Sequence, residues 1–293
     1  MASKEEKGAV VVTGASTGIG RATALRLDEQ GYTVFAGIRK KVDGEALVEA
    51  AKNGNITPVT LDVTKPRSIS AARQKVQKAV GKAGLAGLVN NAGVANAGPV
   101  EHMPIAEFQK VVDVNLTGQV SVTQEFLPLI RRATGTIVFI TSIGGLVASP
   151  FMSPYHAAKF GLEGVADSLR REVKPWGIKV AIVEPGSIAT PIWEKGSDAY
   201  DGINFPPEAK RLYGKQMDAM QDTIAETAER GIEPEKVAKV IERAIRSKRP
   251  KTRYLVGTDA KLMKRVSRLV GDRNFDKLMR RSMKLPDEAP KAR

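Results

Sequence analysis

Short apolar segments alternate with helical segments along most of this chain, and this alternation constrains the fold more than any other feature. Strands are predicted at Gly8–Thr13, Tyr32–Gly37, Ile56–Leu61, Leu85–Val89, Thr136–Thr141, Lys179–Val183 and Tyr254–Gly257. Helical spacing occupies Thr17–Gln30, Asp43–Lys52, Pro66–Val80, Pro104–Ile130 and Pro154–Val173. Apolar strands separated by helices indicate βαβ units. The predicted fold is therefore α/β, a Rossmann-like doubly wound parallel sheet of about seven strands with helices on both faces.

The alternation stops at Ser187–Gly231, which carries several prolines and glycines before a helical stretch. Long excursions of this kind in compact domains are usually functional lids or disordered segments. We predict a single catalytic domain over residues 1–258 that includes a substrate-loop excursion at 187–231. Residues 259–293 are predicted as a basic C-terminal extension, first helical and then disordered.

Composition excludes several classes of function. The 293 residues are 42% apolar and 27% charged, as in ordinary globular proteins. The absence of cysteine excludes disulfides, thiolate metal sites and a cysteine nucleophile, and two histidines predict no zinc site. The first residues contain no apolar core, and no long apolar run occurs later in the chain, so we expect no signal peptide or transmembrane helix and a cytoplasmic location.

The positive charge is concentrated at the C-terminal end. The formal net charge is +14; residues 230–293 hold 20 basic and 8 acidic residues, whereas residues 1–229 hold 26 and 24. Such asymmetry suggests an acidic partner, with a solvated helical face and a tail as the alternative. A basic amphipathic pattern over 261–284 predicts peripheral contact with an anionic membrane, with packing on the domain as the alternative. Zinc-finger spacing and aromatic-rich basic stripes are missing, so no specific nucleic-acid partner is expected.

A glycine-rich turn, TGASTGIG at Thr13–Gly20, joins the first predicted strand to the first helix. Glycines let the backbone approach a pyrophosphate, and the helix N-terminus offers free N–H groups and a positive dipole end. The spacing differs from the G-x-G-x-x-G fingerprint, and an ordinary βα turn is the alternative. The predicted phosphate-binding residues are Gly14, Ser16, Thr17, Gly18, Ile19 and Gly20.

The end of the second predicted strand selects the cofactor. An acidic residue there would bind the ribose hydroxyls of NAD, whereas a 2′-phosphate needs a cation. This strand is followed by Arg39 and Lys40, and the first carboxylate is Asp43. Both cations are predicted to pair with the phosphate. We therefore expect NADP(H) in preference to NAD(H); solvation of a loop by these cations is the alternative.

A serine, a tyrosine and a lysine suggest acid–base chemistry. Ser142 ends the fifth predicted strand, and Tyr155 and Lys159 share one helix face because they are four residues apart. Moving the pKa of a tyrosine from about 10 to neutrality takes about 4 kcal/mol, which a buried lysine and a positive nicotinamide ring together can supply. Tyr155 is the predicted general acid or base, and Ser142 the donor to the substrate oxygen. His156 is expected on the helix surface.

Together these motifs resemble the short-chain dehydrogenase/reductase superfamily of the Tyr-x-x-x-Lys type, over Lys7–Gly186 and more loosely to Gly257. The resemblance implies hydride transfer between NADP(H) and an alcohol or carbonyl carbon. It implies a catalytic tetrad of Asn115, Ser142, Tyr155 and Lys159, in which Lys159 also binds the nicotinamide ribose and Asn115 holds a proton-relaying water. Further implied cofactor residues are Asp62, Val63, Asn91, Ala92, Gly93, Tyr155, Lys159, Pro185, Gly186, Ile188 and Thr190.

The resemblance extends to the hydroxysteroid and retinol dehydrogenase branch through Gly87–Val94, Lys159–Gly164 and Ser168–Val173. It implies a lipophilic, steroid- or retinoid-like secondary alcohol or ketone, and a homodimer or homotetramer built on the helices at Pro104–Ile130 and Pro154–Val173. An apolar wall fits such a substrate. The predicted wall residues are Gly144, Leu146, Phe151, Met152, Ile192 and Trp193.

Two other functions remain open from the sequence. The first is a β-ketoacyl or small-carbonyl reductase with the same chemistry. The second is a cofactor-binding scaffold whose basic end engages an acidic partner or a membrane surface.

Overall fold

The computed structural model describes residues 7–283 and 285, which fold around one parallel sheet. The strands are β1 (Ala9–Val12), β2 (Thr33–Ile38), β3 (Ile56–Thr60), β4 (Gly87–Asn90), β5 (Thr136–Ile140), β6 (Lys179–Pro185) and β7 (Arg253–Val256). Their order across the sheet is β3-β2-β1-β4-β5-β6-β7, and every neighbouring pair is parallel. The predicted seven-stranded Rossmann-like sheet is confirmed.

Eleven α-helices accompany the sheet over the described residues. They are α1 (Gly18–Glu29), α2 (Lys41–Glu49), α3 (Pro66–Val80), α4 (Ile105–Val112), α5 (Gly118–Ala133), α6 (Ser153–Glu172), α7 (Ile192–Asp201), α8 (Pro207–Glu229), α9 (Pro234–Arg246), α10 (Thr258–Leu269) and α11 (Asp272–Ser282). None of them is both long and apolar enough to cross a bilayer.

Buried side chains on both sides of the sheet explain why the strands read as continuous apolar runs. In β1, Val11 packs into a cluster with α3, α5 and α6, whereas Val10 and Val12 pack into a second cluster with α1 and α9. All three valines are fully buried. Alternate side chains therefore fill two cores, one on each face of the sheet, and polar chemistry is left to the strand ends.

The predicted single helix Pro104–Ile130 is wrong in one respect. The structure breaks it into α4 and α5 by a π-helical turn over Asp113–Thr117. A π-helical turn adds a residue to the helix and rotates the residues after it, and such turns are frequent at functional sites. The turn contains Asn115, which is fully buried. Apolar spacing carries no signal for this local change of pitch.

The region predicted as an excursion contains α7 and α8, and the C-terminal extension contains α10 and α11. Three residues of the extension, Ala260, Met279 and Met283, are buried. A network of charges holds α10 to the sheet, because Arg253 of β7 and Lys264 of α10 lie 3.4 and 3.7 Å from Oε1 of the fully buried Glu184. The predicted disordered tail lies outside the described residues.

Candidate active site

A cleft of about 880 Å³ opens along the carboxyl ends of the strands. In doubly wound sheets this edge is where ligands bind, at the point where the chain reverses its direction across the sheet. Here that point lies between β1 and β4. The predicted site residues that line the cleft are Gly14, Ser16, Thr17, Gly18, Ile19, Arg39, Asp62, Val63, Asn91, Ala92, Gly93, Ser142, Tyr155, Lys159, Pro185, Gly186, Ile188, Thr190, Ile192 and Trp193.

The glycine-rich turn has a backbone that other residues would strain. Gly14 and Gly18 adopt left-handed φ values of 63° and 54°, a region that costs energy for residues with a Cβ. Gly20 does not line the cleft, but a Cβ there would stand 2.1 Å from the Gly14 carbonyl oxygen. Among the described residues, no side chain caps the N-terminus of α1. Because Thr17, Gly18 and Ile19 line the cleft, this uncapped helix N-terminus is placed to bind the phosphates of a dinucleotide.

Hydrogen bonds of Thr13 and Asn91 join this turn to the end of β4. Asn91 was predicted as a site residue, whereas Thr13 was not. The Thr13 hydroxyl accepts hydrogen bonds from the N–H groups of Asn91 and Ala92, at 2.9 and 3.0 Å. The Asn91 side chain donates in return to the carbonyl oxygens of Thr13 and Gly14, at 2.9 and 3.1 Å. Each bond satisfies a backbone group at the cleft edge and holds the turn against the loop after β4.

The two cations after β2 occupy different positions. Both Arg39 and Lys40 are exposed, but of this pair only Arg39 lines the cleft. Asp62, at the end of β3, accepts hydrogen bonds from the backbone and hydroxyl of Thr64 at 3.0 and 2.7 Å. Arg39 is therefore the residue of the two that is positioned to contact a ligand in the cleft.

Ser142, Tyr155 and Lys159 meet at the opposite end of the cleft. Ser142 Oγ accepts from the Gly144 N–H at 3.0 Å and donates to the Pro185 carbonyl oxygen at 3.5 Å, and the Ser142 hydroxyl acts on the pKa of Tyr155. Lys159 is 4% exposed, donates from Nζ to the Ile140 carbonyl oxygen at 2.8 Å, and stands 5.6 Å from the Tyr155 ring centroid. The three predicted residues are thus brought together by the end of β5 and the first two turns of α6.

Burial shifts both titrating groups toward their neutral forms. It lowers the pKa of Lys159 to about 8, against the opposing charge of Glu163. It raises the pKa of Tyr155 above its usual value, and the hydrogen bond with Ser142 opposes this. The protein groups alone therefore hold Tyr155 as a protonated phenol, and the lowering expected from sequence depends on an added positive charge in the cleft.

Asn115 does not line the cleft, unlike the other three members of the predicted tetrad. Its Oδ1 accepts from the Val94 N–H and its Nδ2 donates to the Val94 carbonyl oxygen, each at 2.8 Å. A Cβ on Gly93 would lie 3.4 Å from Asn115 Oδ1 and 3.9 Å from Lys159 Nζ. The π-helical turn thus directs Asn115 to the loop after β4, on the side of Gly93 that also faces Lys159.

The loop after β6 is held over the cleft by residues distant in sequence. The Ser187 N–H donates to Asp259 Oδ2 at 2.7 Å, and the Trp193 indole donates to the Ile188 carbonyl oxygen at 2.9 Å. Thr190 reaches across the cleft, because a Cβ on Gly18 would lie 3.0 Å from its Cγ2. Asp259 comes from α10 and was not identified as a site residue from the sequence, since its partner is a backbone group 72 positions away.

The predicted substrate wall divides into two groups. Ile192 and Trp193 line the cleft, whereas Gly144, Leu146, Phe151 and Met152 do not. Gly144 is wedged beside His156 and Tyr155, where a Cβ would come within 3.1 Å of both rings. Phe151 and Met152 instead belong to an apolar cluster with Tyr155, Ile192 and Trp193, to which α8, α10 and α11 also contribute.

His156 is buried, so its predicted place on the helix surface is wrong. It is 7% exposed; its Nε2 accepts the Ser149 N–H at 2.9 Å, and its Nδ1 lies 2.8 Å from the Gly144 carbonyl oxygen. Because Nε2 accepts, Nδ1 carries the proton of a neutral ring. Burial lowers the pKa of His156, and the hydrogen bond to Gly144 opposes that effect. The ring therefore fixes the segment between Ser142 and α6.

This environment predicts a pH dependence of stability. An unfolded histidine takes up a proton near pH 6.5, whereas the folded ring, with its lowered pKa, resists protonation until lower pH. The unfolded state then binds more protons, so the free energy of unfolding should fall as the pH drops below about 6.5. His156→Phe should remove this component and cost about 2–3 kcal/mol at pH 7.5, because the ring's contacts with the Ser149 N–H, the Ser149 hydroxyl and the Gly144 carbonyl oxygen are all lost.

Urea unfolding of the parent and His156→Phe at pH 7.5 and 5.5 measures both effects. His102 and the carboxylates are present in both proteins, so the difference between the two pH dependences isolates His156. Equal pH dependences would contradict the assigned neutral, buried ring.

The site is matched by sequence and structure comparisons. A family model described as short chain dehydrogenase matches residues 8–201. An NADPH-dependent 3-dehydrocapnine reductase of Ornithobacterium rhinotracheale is 36% identical over 279 residues, covering 94% of this chain and 96% of that protein. Retinol dehydrogenase 5 of Mus musculus is 38% identical over 265 residues, covering 87% and 82%. A short-chain dehydrogenase structure from Streptomyces avermitilis has a TM-score of 0.73 at 27% identity, covering 94% and 95%.

These matches are to the same family that the motifs of the sequence resemble, and those motifs surround the cleft. They include retinol and hydroxysteroid dehydrogenases, as the sequence predicted. The chain belongs to the short-chain dehydrogenase/reductase family, is most similar to its hydroxysteroid and retinol dehydrogenase branch, and is an oxidoreductase that acts on CH–OH or C=O groups with a nicotinamide cofactor.

Proposed function

We propose that this protein is an NADP(H)-dependent oxidoreductase that interconverts a lipophilic secondary alcohol and its ketone, with Tyr155 as the general acid and base. The observation that carries the proposal is the meeting of three groups at one end of the cleft. The Ser142 hydroxyl lowers the pKa of Tyr155 against the effect of burial, and the buried Lys159 lies on the same helix face, 5.6 Å from the Tyr155 ring centroid.

A nicotinamide held in the cleft beside Tyr155 and Lys159 would supply or accept the hydride. Ser142 donates a hydrogen bond to the substrate oxygen, which polarises the carbonyl. Tyr155, held as a protonated phenol, gives its proton to that oxygen during reduction and takes it back during oxidation. Lys159, with its pKa lowered to about 8, stabilises the phenolate and binds the ribose. Asn115 fixes the loop beside Lys159 and holds the proton-relaying water that the family resemblance implies.

The preference for NADP(H) rests on the cation at the end of β2. Arg39 lines the cleft, and a guanidinium pairs with a phosphate through two parallel hydrogen bonds. No carboxylate stands in the sequence between the end of β2 and Asp43. The related 3-dehydrocapnine reductase is described as NADPH-dependent, which supports the same preference here.

The distribution of methionine supports a lipophilic substrate. Two apolar clusters beside the reactive end of the cleft contain six described methionines: Met152, Met217, Met220, Met263, Met279 and Met283. Neither of the two core clusters that flank the sheet contains a methionine. Tyr155 itself packs against the first of these clusters. Methionine is flexible and polarisable, so it adapts to irregular apolar ligands. Relatives named as retinol dehydrogenases support the same class of substrate.

A β-ketoacyl or small-carbonyl reductase is the second candidate, because the catalytic residues would be the same. The helices α7 and α8 and the methionine-rich clusters favour the larger apolar substrate. A panel of ketosteroids, retinal, aliphatic ketones and β-ketoacyl thioesters, assayed by NADPH oxidation at 340 nm, separates the two. Turnover confined to the thioesters or to short ketones would overturn the lipophilic assignment.

Replacing Tyr155 tests the assigned proton transfer. Tyr155→Phe removes only the hydroxyl and should lower kcat by about 10²–10⁴-fold, the usual contribution of general acid–base catalysis. NADPH affinity, measured by fluorescence titration, should stay within about twofold, because the ring is kept. Tyr32→Phe, which alters a tyrosine in the cluster on the other side of the sheet, is the matched control. Retained turnover in Tyr155→Phe would refute the mechanism.

Replacing Arg39 tests the cofactor preference. Arg39→Ala should raise KM for NADPH by about tenfold, equivalent to about 1.4 kcal/mol, and leave KM for NADH nearly unchanged because NADH lacks the 2′-phosphate. Lys41→Ala, which removes a highly exposed lysine side chain (93% exposed) two residues later, should change neither value. Equal losses with both cofactors would assign Arg39 to the fold rather than to the phosphate.

A homodimer or homotetramer remains part of the proposal. The implied interface lies on α4, α5 and α6, and Phe160 of α6 is 44% exposed. Sedimentation velocity at micromolar concentration tests it: a single monomeric species would contradict the proposal.

A further inference from the structure

The outer face of α10 carries an unusual combination of exposed leucines and cations. Leu262 and Leu269 are 64% and 78% exposed. They are seven residues apart, so they lie on one line along the helix. Lys261, Arg265 and Arg268 are also exposed and fall on one flank of that line. We call these five residues the α10 outer face.

Contacts of the opposite side fix the orientation of α10. Ala260 is buried, Met263 packs into the methionine-rich cluster, and Lys264 lies 3.7 Å from the buried Glu184. Asp259 accepts the Ser187 N–H at 2.7 Å. The helix therefore cannot rotate its leucines inward without breaking these contacts, and among the described residues it leaves the outer face open to solvent.

The next helix, α11, also exposes a leucine and carries basic residues. In α11 the side chain of Leu278 is 45% exposed, whereas Met279 is buried. Over residues 258–283 eight basic residues stand against three acidic ones. The basic ones include Lys264, and the acidic ones include Asp259; both are engaged inward. The surface is therefore both cationic and apolar.

We propose that the α10 outer face, with the exposed side of α11, docks on an anionic membrane surface. Leucines enter the interfacial layer and the neighbouring cations pair with lipid phosphates, which is how amphipathic helices bind without spanning. A nucleic acid would use the cations but leave the leucines against a polar backbone. The same helices contribute Met263, Met279 and Met283 to the cluster that contains Tyr155, so docking brings the reactive end toward the bilayer; only this last link rests on the proposed function.

Vesicle sedimentation with the full chain tests the docking in the absence of any substrate. Vesicles of phosphatidylcholine with 30% phosphatidylglycerol, in about 50 mM salt, should bind the protein at least tenfold more tightly than pure phosphatidylcholine, because charge attraction is weakly screened there. The double variants Leu262→Gln/Leu269→Gln and Arg265→Gln/Arg268→Gln should each weaken this binding at least fivefold.

Two control double variants make similar substitutions of exposed apolar or basic residues on other helices. Val42→Gln/Val48→Gln alters two exposed apolar side chains of α2, and Lys236→Gln/Lys239→Gln alters two exposed lysines of α9. Both should bind the anionic vesicles like the parent. Thermal unfolding of all four variants verifies that each is folded.

Three outcomes would overturn the inference. The first is no binding of the parent to anionic vesicles at low salt. The second is equal binding by all four double variants. The third is a change of oligomeric state in the leucine variant, by light scattering, which would assign the face to a second copy of the chain. The vesicles contain no substrate, so the two proposals can fail separately. Vesicle binding without ketone reduction would refute only the proposed function. Ketone reduction without vesicle binding would refute only the docking.

Discussion

The crossing of the chain between β1 and β4 is the constraint on which the rest of the structure depends. From β1 the chain builds outward to β3 and then returns across the sheet to β4, so the connections leave these two adjacent strands toward opposite sides. A crevice results at their carboxyl ends. The Thr13–Asn91 hydrogen bonds hold its two edges together, and the N-terminus of α1 opens into it. This crossing therefore positions both the glycine-rich turn proposed to bind phosphate and the residues proposed for acid–base chemistry.

Burial of Tyr155 and Lys159 changes their pKa values, an effect that their spacing in the sequence does not reveal. A lysine four residues after a tyrosine is common on helices, and on a surface it would leave the tyrosine pKa almost unchanged. Here Lys159 is enclosed, with a carbonyl oxygen as its hydrogen-bond partner, and the phenol is kept protonated by the protein. The pair is therefore prepared to respond to a single additional positive charge, because low polarity strengthens each electrostatic interaction.

The C-terminal extension is integrated with the catalytic domain through polar contacts as well as apolar ones. Asp259 holds the loop after β6, and Lys264 joins Arg253 around Glu184, whose pKa is raised by burial. Arg253 also contacts Glu163 and Asp167 of α6, each at 3.0 Å. Since α6 carries Tyr155 and Lys159, the network links the extension to the helix that holds the proposed catalytic residues.

The parallel sheet, the glycine turn and the serine, tyrosine and lysine could be predicted from the amino-acid sequence alone, because they depend on local periodicity and on residue types that few other arrangements require. The basic end of the chain was equally visible there. Tertiary contacts were needed to establish that Arg39 rather than Lys40 lines the cleft, that a π-helical turn carries Asn115, that His156 is buried, and that Asp259 and Thr13 serve the site. Each of these depends on contacts between segments far apart in the chain or on helix pitch, and neither hydrophobic spacing nor motif order encodes such contacts. The same holds for the exposed leucines of α10, whose outward direction is set by Ala260, Met263 and Lys264 packing inward.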